Sequence, residues 1–333
     1  YCIMLLEILI ALFIGVFAGT LTGLAPGIHI NLVAAILLAS LASLAGIPLI
    51  ALAVFIVAMS ITHTFIDFIP AIFLGAPEED TFLSILPGHE MLKEGKGFQA
   101  VVLTLYGSLF SLTIILIFAP LFILFLPSIY ETIKFLIPFI LVFISIYLIF
   151  REDNFLLSLV VFSLASFLGL ASFQIPIKEP LLPLLTGLFG TSSLIISLKN
   201  KQLIQKQSIS SLKEIKLTKS ELIRASLASV ISAPMSSFLP GIGSGHAATL
   251  SSELIPQSRK GFLFLVGAIN TIIMALSFVT VFAIDKARSG SAAAIKNILH
   301  QISLGEIIII IITIIVSGLV SFFLGIKIAK FFA

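Results

Sequence analysis

The chain has little charge and almost no cysteine. Asp, Glu, Lys and Arg make up only 11% of its 333 residues, and Cys2 is its one cysteine. A single thiol excludes an internal disulfide framework and any cysteine-rich metal site. With charge this scarce and no long acidic or neutral polar segment, no appended soluble domain is expected. The first apolar run follows Glu7 rather than a basic stretch, so no cleavable signal is expected either. Short alternating segments of the outer-membrane barrel kind are missing. Walker loops, GxGxxG after a strand, HExxH and GxSxG are absent in their required contexts. No catalytic residue is assigned, no organic cofactor is expected, and a net charge of +3 does not ask for nucleic acid.

What is present is apolar. At 59% apolar residues and a mean hydropathy of +1.22, the chain carries more apolar surface than a soluble domain hides. The run from Ile307 to Leu324 is 18 residues without a charge, close to the ~20 that span a hydrocarbon core. Apolar segments are predicted at 3–24, 28–45, 48–72, 98–126, 134–150, 154–171, 181–198, 221–238, 244–255, 261–284 and 302–332. The fold class is an all-α polytopic protein of the cell membrane.

Two Pro-Gly breaks interrupt this pattern, in LAPGIHINLVAAILL (Leu24 to Leu38) and LPGIGSGHAATLSSEL (Leu239 to Leu254). A helix broken at membrane depth is tolerated only where protein or a wet cavity satisfies the freed backbone. Segments 3–45 and 221–255 are therefore read as hairpins with tips inside the membrane, leaving about seven full spans. The stretch Lys199 to Lys219 holds six lysines against one glutamate and is assigned to the cytoplasm.

With that loop inside, Lys93, Lys96, Arg151, the six loop lysines, Arg224, Arg259, Lys260, Lys327 and Lys330 fall inside, and Lys134, Lys178, Lys286, Arg288 and Lys296 outside. This bias puts the N-terminus outside and the C-terminus inside. It also orients the two hairpins oppositely, giving an inverted-topology repeat. The first repeat covers 1–127 and the second 221–333. Between them, 128–220 supplies linker spans and the lysine loop at 199–220.

Each hairpin's second helix offers first-turn N–H groups and a positive dipole end, which suit an anion. The candidate substrate residues are Pro26, Gly27, Ile28, His29 and Asn31 at the first break. At the second they are Pro240, Gly241, Gly243, Ser244, Gly245 and His246, with a hydroxyl from Thr249. His29 and His246 can donate to an anion, carry a coupled proton, or serve as interior groups. In SITHTFIDFIP, Ser60, His63 and Asp67 share one helix face. Asp67 is a candidate for binding Na⁺, relaying protons with His63, or forming a structural pair with it. Asn270 and Thr271 offer oxygens for Na⁺ from the other half, so His63, Asp67, Asn270 and Thr271 form the ion-coupling set. The acids Glu78, Glu79 and Asp80 behind Pro77 fan apart if helical, so capping is expected of two of the three. Glu253 is expected beside Arg259 at the cytoplasmic interface.

The string Ala71 to Gly107, with Pro77, Glu78, Gly88, Met91, Gly95 and Gly97, resembles the first-repeat signature of the large membrane subunit of tripartite tricarboxylate transporters. GTLTGLAPGI and SFLPGIGSGHAATLSSEL resemble that family's two Pro-Gly motifs, and Gly261 to Asn270 falls at its second-repeat Asn-containing segment. The pattern spans both halves, as in a short, divergent member. His29 stands where the family usually has a glycine, and His63 to Asp67 replace a Gly-rich segment. The resemblance implies an ion-coupled permease working with a small membrane subunit and an extracytoplasmic binding protein. By analogy it also suggests a homodimer. The resulting expectation is a secondary transporter of a di- or tricarboxylate coupled to Na⁺ or H⁺. A translocator of a lipid-linked phosphate and an intramembrane hydrolase using His63, His246 and Glu253 remain as rivals.

Overall fold

The computed structural model describes residues 2–44, 46–75, 81–176, 206–239 and 243–333, with Thr191, Ile195 and Lys199 between them. Among these residues there is no strand. The helices are α1 (Cys2–Leu24), α2 (Ile30–Ala39), α3 (Leu49–Ile66), α4 (Phe68–Leu74), α5 (Ile85–Lys93), α6 (Gly97–Ile133), α7 (Ile137–Arg151), α8 (Phe155–Phe173), α9 (Lys219–Phe238), α10 (Ser244–Leu254), α11 (Arg259–Ile284), α12 (Gly290–Leu299) and α13 (Leu304–Phe332). Local chemistry marks many of their starts. Thr218 with Glu221 and Ser303 with Glu306 form capping boxes, while Asn154, Ser258 and Ser289 cap α8, α11 and α12 with side-chain oxygens.

Among the described residues, six stretches are long and apolar enough to cross a membrane: Met4–Leu24, Leu49–Leu74, Gly97–Ile133, Phe155–Phe173, Arg259–Ile284 and Leu304–Phe332. The predicted span 134–150 is the 15-residue α7, short of crossing length. The predicted 181–198 lies outside the described residues. The stretches 73–97 and 285–300, which fall between the predicted apolar segments, contain the short helices α5 and α12, each ending near a lysine.

The α3–α4 pair and α11 form the centre, with α6 and α13 beside them. Glycines set the spacing. A Cβ on Gly15, Gly19 or Gly23 of α1 would strike Phe55, Met59 or Ile66 of α3 at 2.6, 2.3 and 2.9 Å. This succession makes α1 and α3 run side by side in the same direction. Leu24 is then level with Asp67, roughly 10 Å short of the end of α4 at 1.5 Å per residue. The break after α1 thus falls within the depth that α3 and α4 span. Gly325 and Gly318 of α13 meet Leu105 and Leu112 of α6 in reverse order, so those helices are antiparallel.

The tightest crossing is between α6 and α11. A Cβ on Gly107 would sit 1.9 Å from the Phe264 carbonyl oxygen, and one on Gly267 would sit 2.2 Å from that of Thr104. Ser108 Oγ donates to the Gly267 carbonyl at 3.1 Å.

One end of the bundle is tied by the basic segment. The buried Gln207 accepts from Gly97 N–H at 2.7 Å and donates to the Leu92 carbonyl at 3.1 Å, serving the start of α6 and the end of α5 together. Ser208 N–H donates to the Gly95 carbonyl, and Tyr106 Oη donates to that of Leu212. At the same end Arg259 pairs with Glu94 at 2.8 Å and with Glu90 at 3.4 Å. Hydrogen bonds from Lys96 and Arg259 hold the exposed Glu94 carboxyl below the usual carboxylate range. This tie is present at neutral pH and fades as pH falls through that lowered value.

Two outcomes follow from these contacts. Gly107→Val forces α6 and α11 apart and should remove the folded fraction seen by size-exclusion chromatography in detergent; a normal monodisperse peak would contradict the crossing. Gln207→Leu leaves a donor and an acceptor unpaired, so thermal unfolding in detergent should show a loss of about 1–3 kcal/mol. An unchanged melting temperature would contradict the clamp.

Candidate functional site

The first Pro-Gly break is a tight turn. Ile28 N–H donates to the Ala25 carbonyl at 3.1 Å, Pro26 follows Ala25, and Gly27 has φ 92°. Proline at the second turn position and a positive-φ glycine at the third are the chemistry of a type II turn. The turn delivers His29 to the N-cap of α2, where Nδ1 accepts Asn31 N–H at 3.2 Å. Asn31 Oδ1 in turn accepts Ser291 N–H at 3.1 Å and its hydroxyl at 3.3 Å. Gly290 lies so close that a Cβ there would meet the Asn31 side chain at 2.8 Å. The first break is therefore bonded to the start of α12, 260 residues away.

The His29 ring meets the His63 ring edge-on, with centroids 5.7 Å apart. His63 is only 3% exposed, and its Nδ1 shares a 3.0 Å hydrogen bond with Thr22 Oγ1. One turn along, α3 stops at Ile66, Asp67 forms the junction, and α4 continues. Pro70 explains the interruption, because it has no N–H to offer the Ile66 carbonyl. Asp67 is 4% exposed and accepts Asn270 Nδ2–H at 3.0 Å. Beside it the Thr64 and Thr271 hydroxyls share a 3.1 Å hydrogen bond, and Ser321 Oγ donates to Thr62 at 2.9 Å. Ser60 Oγ, on the same face of α3, is fully buried and has no hydrogen-bond partner among the described residues.

The structure thus brings His63, Asp67, Asn270 and Thr271 together from α3 and α11, with His29 alongside. A carboxylate, a carboxamide and hydroxyls at a broken helix form a hard oxygen donor set that suits an alkali cation. The paired imidazoles suit a proton.

Of the second break the structure describes Leu239 and the residues from Gly243 onward. Pro240, Gly241 and Ile242 lie outside the described residues, as do Pro77, Glu78, Glu79 and Asp80. Gly243 caps α10 without a side-chain acceptor. Ser244 and Gly245 are buried, whereas His246 is exposed. Together with Ser145 of α7, Glu152 just after that helix, and Ser158 and Phe162 of α8, His246 lines a groove of about 470 Å³. Thr249 turns its hydroxyl onto the Gly245 carbonyl of its own helix. Glu253 pairs with Arg151 rather than with Arg259, because Arg259 is taken by the acids of α5 and the residue after it.

Arg288, counted in the sequence only as a loop charge, is half-buried two residues ahead of Gly290 and within electrostatic reach of His246. Thr22, Thr62, Thr64 and Ser321 are further hydroxyl groups of this centre that the sequence does not single out. Their signal was small hydroxyl residues inside otherwise apolar helices. Among the described residues, no three of His, Cys, Asp and Glu stand close enough to hold a metal ion together.

Asn31→Ala removes the acceptor for Ser291 N–H while keeping α2 helical. Thermal unfolding in detergent should show a loss of about 1–2 kcal/mol, and an unchanged melting temperature would mean that the link carries no load.

Residues 9–333 match the tripartite tricarboxylate transporter TctA family. An uncharacterized protein of Methanocaldococcus jannaschii is 32% identical over 338 aligned positions, covering 97% of this chain and 80% of that protein. No solved structure matches the chain significantly. A match over nearly the whole length, on a helical bundle with an oxygen-rich centre, places the chain in the tripartite tricarboxylate transporter TctA family.

Proposed function

We propose that this transporter-family protein is an ion-coupled permease for an organic anion, a di- or tricarboxylate, working by alternating access. The observation that carries the reading is the buried Asp67–Asn270 pair, in which a carboxylate on the broken α3–α4 helix meets a carboxamide from α11. An ionisable group held at depth between two parts of a membrane bundle marks an ion or substrate pathway. The first-turn amides of α2 and α10 are the anion-binding elements, with Pro26 to Asn31 and Pro240 to His246 around them. Asp67, Asn270, Thr271 and His63 hold the coupling ion, Na⁺ or H⁺.

An inverted repeat supplies the moving parts in this reading. The helix order α1, α2, α3–α4, α5, α6 corresponds to α9, α10, α11, α12, α13. The packing partners correspond too: α1 lies on α3 as α9 lies on α11, and α3 meets α13 as α11 meets α6. The halves are 1–127 and 221–333, joined by 128–220, with the N-terminus outside and the lysine-rich segment in the cytoplasm. Lys96, Gln207, Glu221, Ser258 and Arg259 gather at one end of the bundle, which supports placing them on one side. Family membership supports a small membrane subunit and an extracytoplasmic binding protein as partners, and a homodimer is the working assembly. A second reading, translocation of a lipid-linked phosphate, is favoured by the His246 groove, which runs along α7 and the largely exposed α8.

Reconstituted into proteoliposomes, the chain should take up labelled di- or tricarboxylate when a Na⁺ or proton gradient is imposed. Asp67→Asn, which keeps the shape and removes the charge, should lower gradient-driven uptake by at least about tenfold, equivalent to ~1.4 kcal/mol of lost coupling, while the protein stays monodisperse. Full uptake by Asp67→Asn would remove Asp67 from the coupling site. Absence of uptake by the parent chain, with or without the partner subunits, together with flipping of a labelled lipid phosphate would replace the carboxylate reading with the second one.

A further inference from the structure

We propose that the groove between α7, α8 and the start of α10 seats one hydrocarbon tail of a bilayer lipid, whose amine-bearing headgroup rests at the turn joining α7 to α8. The proposal needs only a helical bundle in a membrane and holds whichever anion the permease carries.

Helical spacing shapes the groove. Leu141, Ile144, Ser145, Leu148 and Ile149 recur at intervals of three and four along α7 and so form one stripe. Leu157, Val161 and Phe162 face it from α8. An apolar stripe of this kind normally buries itself against a neighbouring helix. Here the α7 stripe is only half-buried, the three residues of α8 are exposed, and about 470 Å³ lies between them. That volume falls within the ~300–1,000 Å³ of sites that enclose small, largely apolar ligands. Almost none of α8 is buried within the protein, so the groove opens sideways to the bilayer. The Ser145 hydroxyl donates to the Leu141 carbonyl of its own helix at 2.9 Å and asks nothing of an apolar occupant.

Depth points to a lipid tail. At its start α7 packs beside the tip of the second hairpin, through Ile137 on Leu239. At its end Arg151 pairs with Glu253, near the end of α10, and the chain turns through Glu152, Asp153 and Asn154 into α8. This charged turn marks a membrane surface, on the same side as Arg259 and Gln207. From Leu141 to Glu152 is roughly 16 Å at 1.5 Å per residue, about half of a ~30 Å hydrocarbon core. The groove is therefore as long as one leaflet is deep, with its polar end at headgroup level. A helix, at about 10 Å across, would leave most of its bulk outside such a groove, whereas one tail fills it.

Charge at the mouth selects the headgroup. Arg151 stands against Glu152, Asp153 and Glu253, one positive charge against three negative, and Glu253 already engages the arginine. Glu152 and Asp153 are exposed. Carboxylates there attract an ammonium group and repel a further negative charge, so a zwitterionic amine lipid is preferred to an anionic one. Partway along, His246 of α10 lines the same groove. A tail lying there separates the first turn of α10 from the surrounding bilayer and so closes the second break sideways.

The test uses a tryptophan, a residue this chain lacks. Phe162→Trp reports on the groove, and Phe167→Trp reports on an exposed part of α8 outside it. Each full-length variant is reconstituted into mixed phosphatidylethanolamine and phosphatidylglycerol bilayers, with brominated tails on one lipid or the other to quench fluorescence on contact. At Phe162→Trp the brominated amine lipid should be favoured about two- to fivefold, the range expected of an exposed ion pair. Phe167→Trp should show no preference. Glu152→Gln combined with Asp153→Asn should abolish the preference while leaving the quenching, and Ser145→Phe, which fills the groove, should weaken the quenching at Phe162→Trp. No quenching at Phe162→Trp by either lipid would mean that protein fills the groove, from this chain or a second copy, and would overturn the proposal. Quenching equal to that at Phe167→Trp would reduce the groove to ordinary bilayer boundary and overturn it too. Preference for the anionic lipid would replace it with the phosphate-bearing lipid of the second reading.

Discussion

Everything in the centre of this molecule depends on how closely α6 and α11 approach at Gly107 and Gly267. With no Cβ on either residue, each helix presses against the other's carbonyl oxygens, and Ser108 donates across the contact to Gly267. Asn270 and Thr271 follow Gly267 by about one turn of the same helix. Fixing the crossing therefore fixes their height relative to α3. That height is what lets Asn270 reach Asp67 and Thr271 reach Thr64. Small residues at helix crossings are the expected device in a bundle whose outer surface is as apolar as its core, because close backbone packing must replace hydrophobic driving force between helices.

The buried polar groups are then organised by neutral donors. A carboxylate at 4% exposure loses nearly all its hydration, and such a group is kept only when hydrogen bonds or an ion replace the water. Asn270 supplies Asp67 with a donor that carries no formal charge. The threonine hydroxyls contribute in the same sense, since each can donate to a neighbour and still offer lone pairs.

Helix positions were legible in the sequence because bilayer-length apolar runs and Pro-Gly punctuation are one-dimensional signals. The stretches 3–24, 48–72, 261–284 and 302–332 correspond closely to α1, α3–α4, α11 and α13. The small helices α5 and α12 were read as loops because they are short and only partly apolar, and their helicity depends on packing against neighbours. Asp67, Asn270, Thr271 and His63 stood out as polar groups in apolar surroundings, and their meeting is a consequence of the α6–α11 crossing. What pairwise spacing could not show was the role of Asn31 in bonding α2 to α12, or the seat of His246 beside α7 and α8. Both depend on contacts between residues about a hundred or more positions apart, and no periodicity encodes those.

The two polar centres also constrain each other. His63 lies four residues before Asp67 on α3 and touches His29 on the other side, so it stands between the carboxylate and the capping histidine. A cation bound at Asp67 neutralises the charge that would draw a proton toward the imidazoles, and a protonated imidazole weakens the field that would hold the cation. The coupling is reciprocal for the two binding equilibria by thermodynamic necessity. An anion near the amides of α2 reverses the sign of this conflict, because negative charge there favours both the cation and the proton. On the permease reading proposed above, a carboxylate-bearing substrate placed at the first turn would allow both positive charges to be held at once. Obligatory coupling in a symporter needs such an arrangement, in which the fully loaded state is stabilised beyond either partly loaded one.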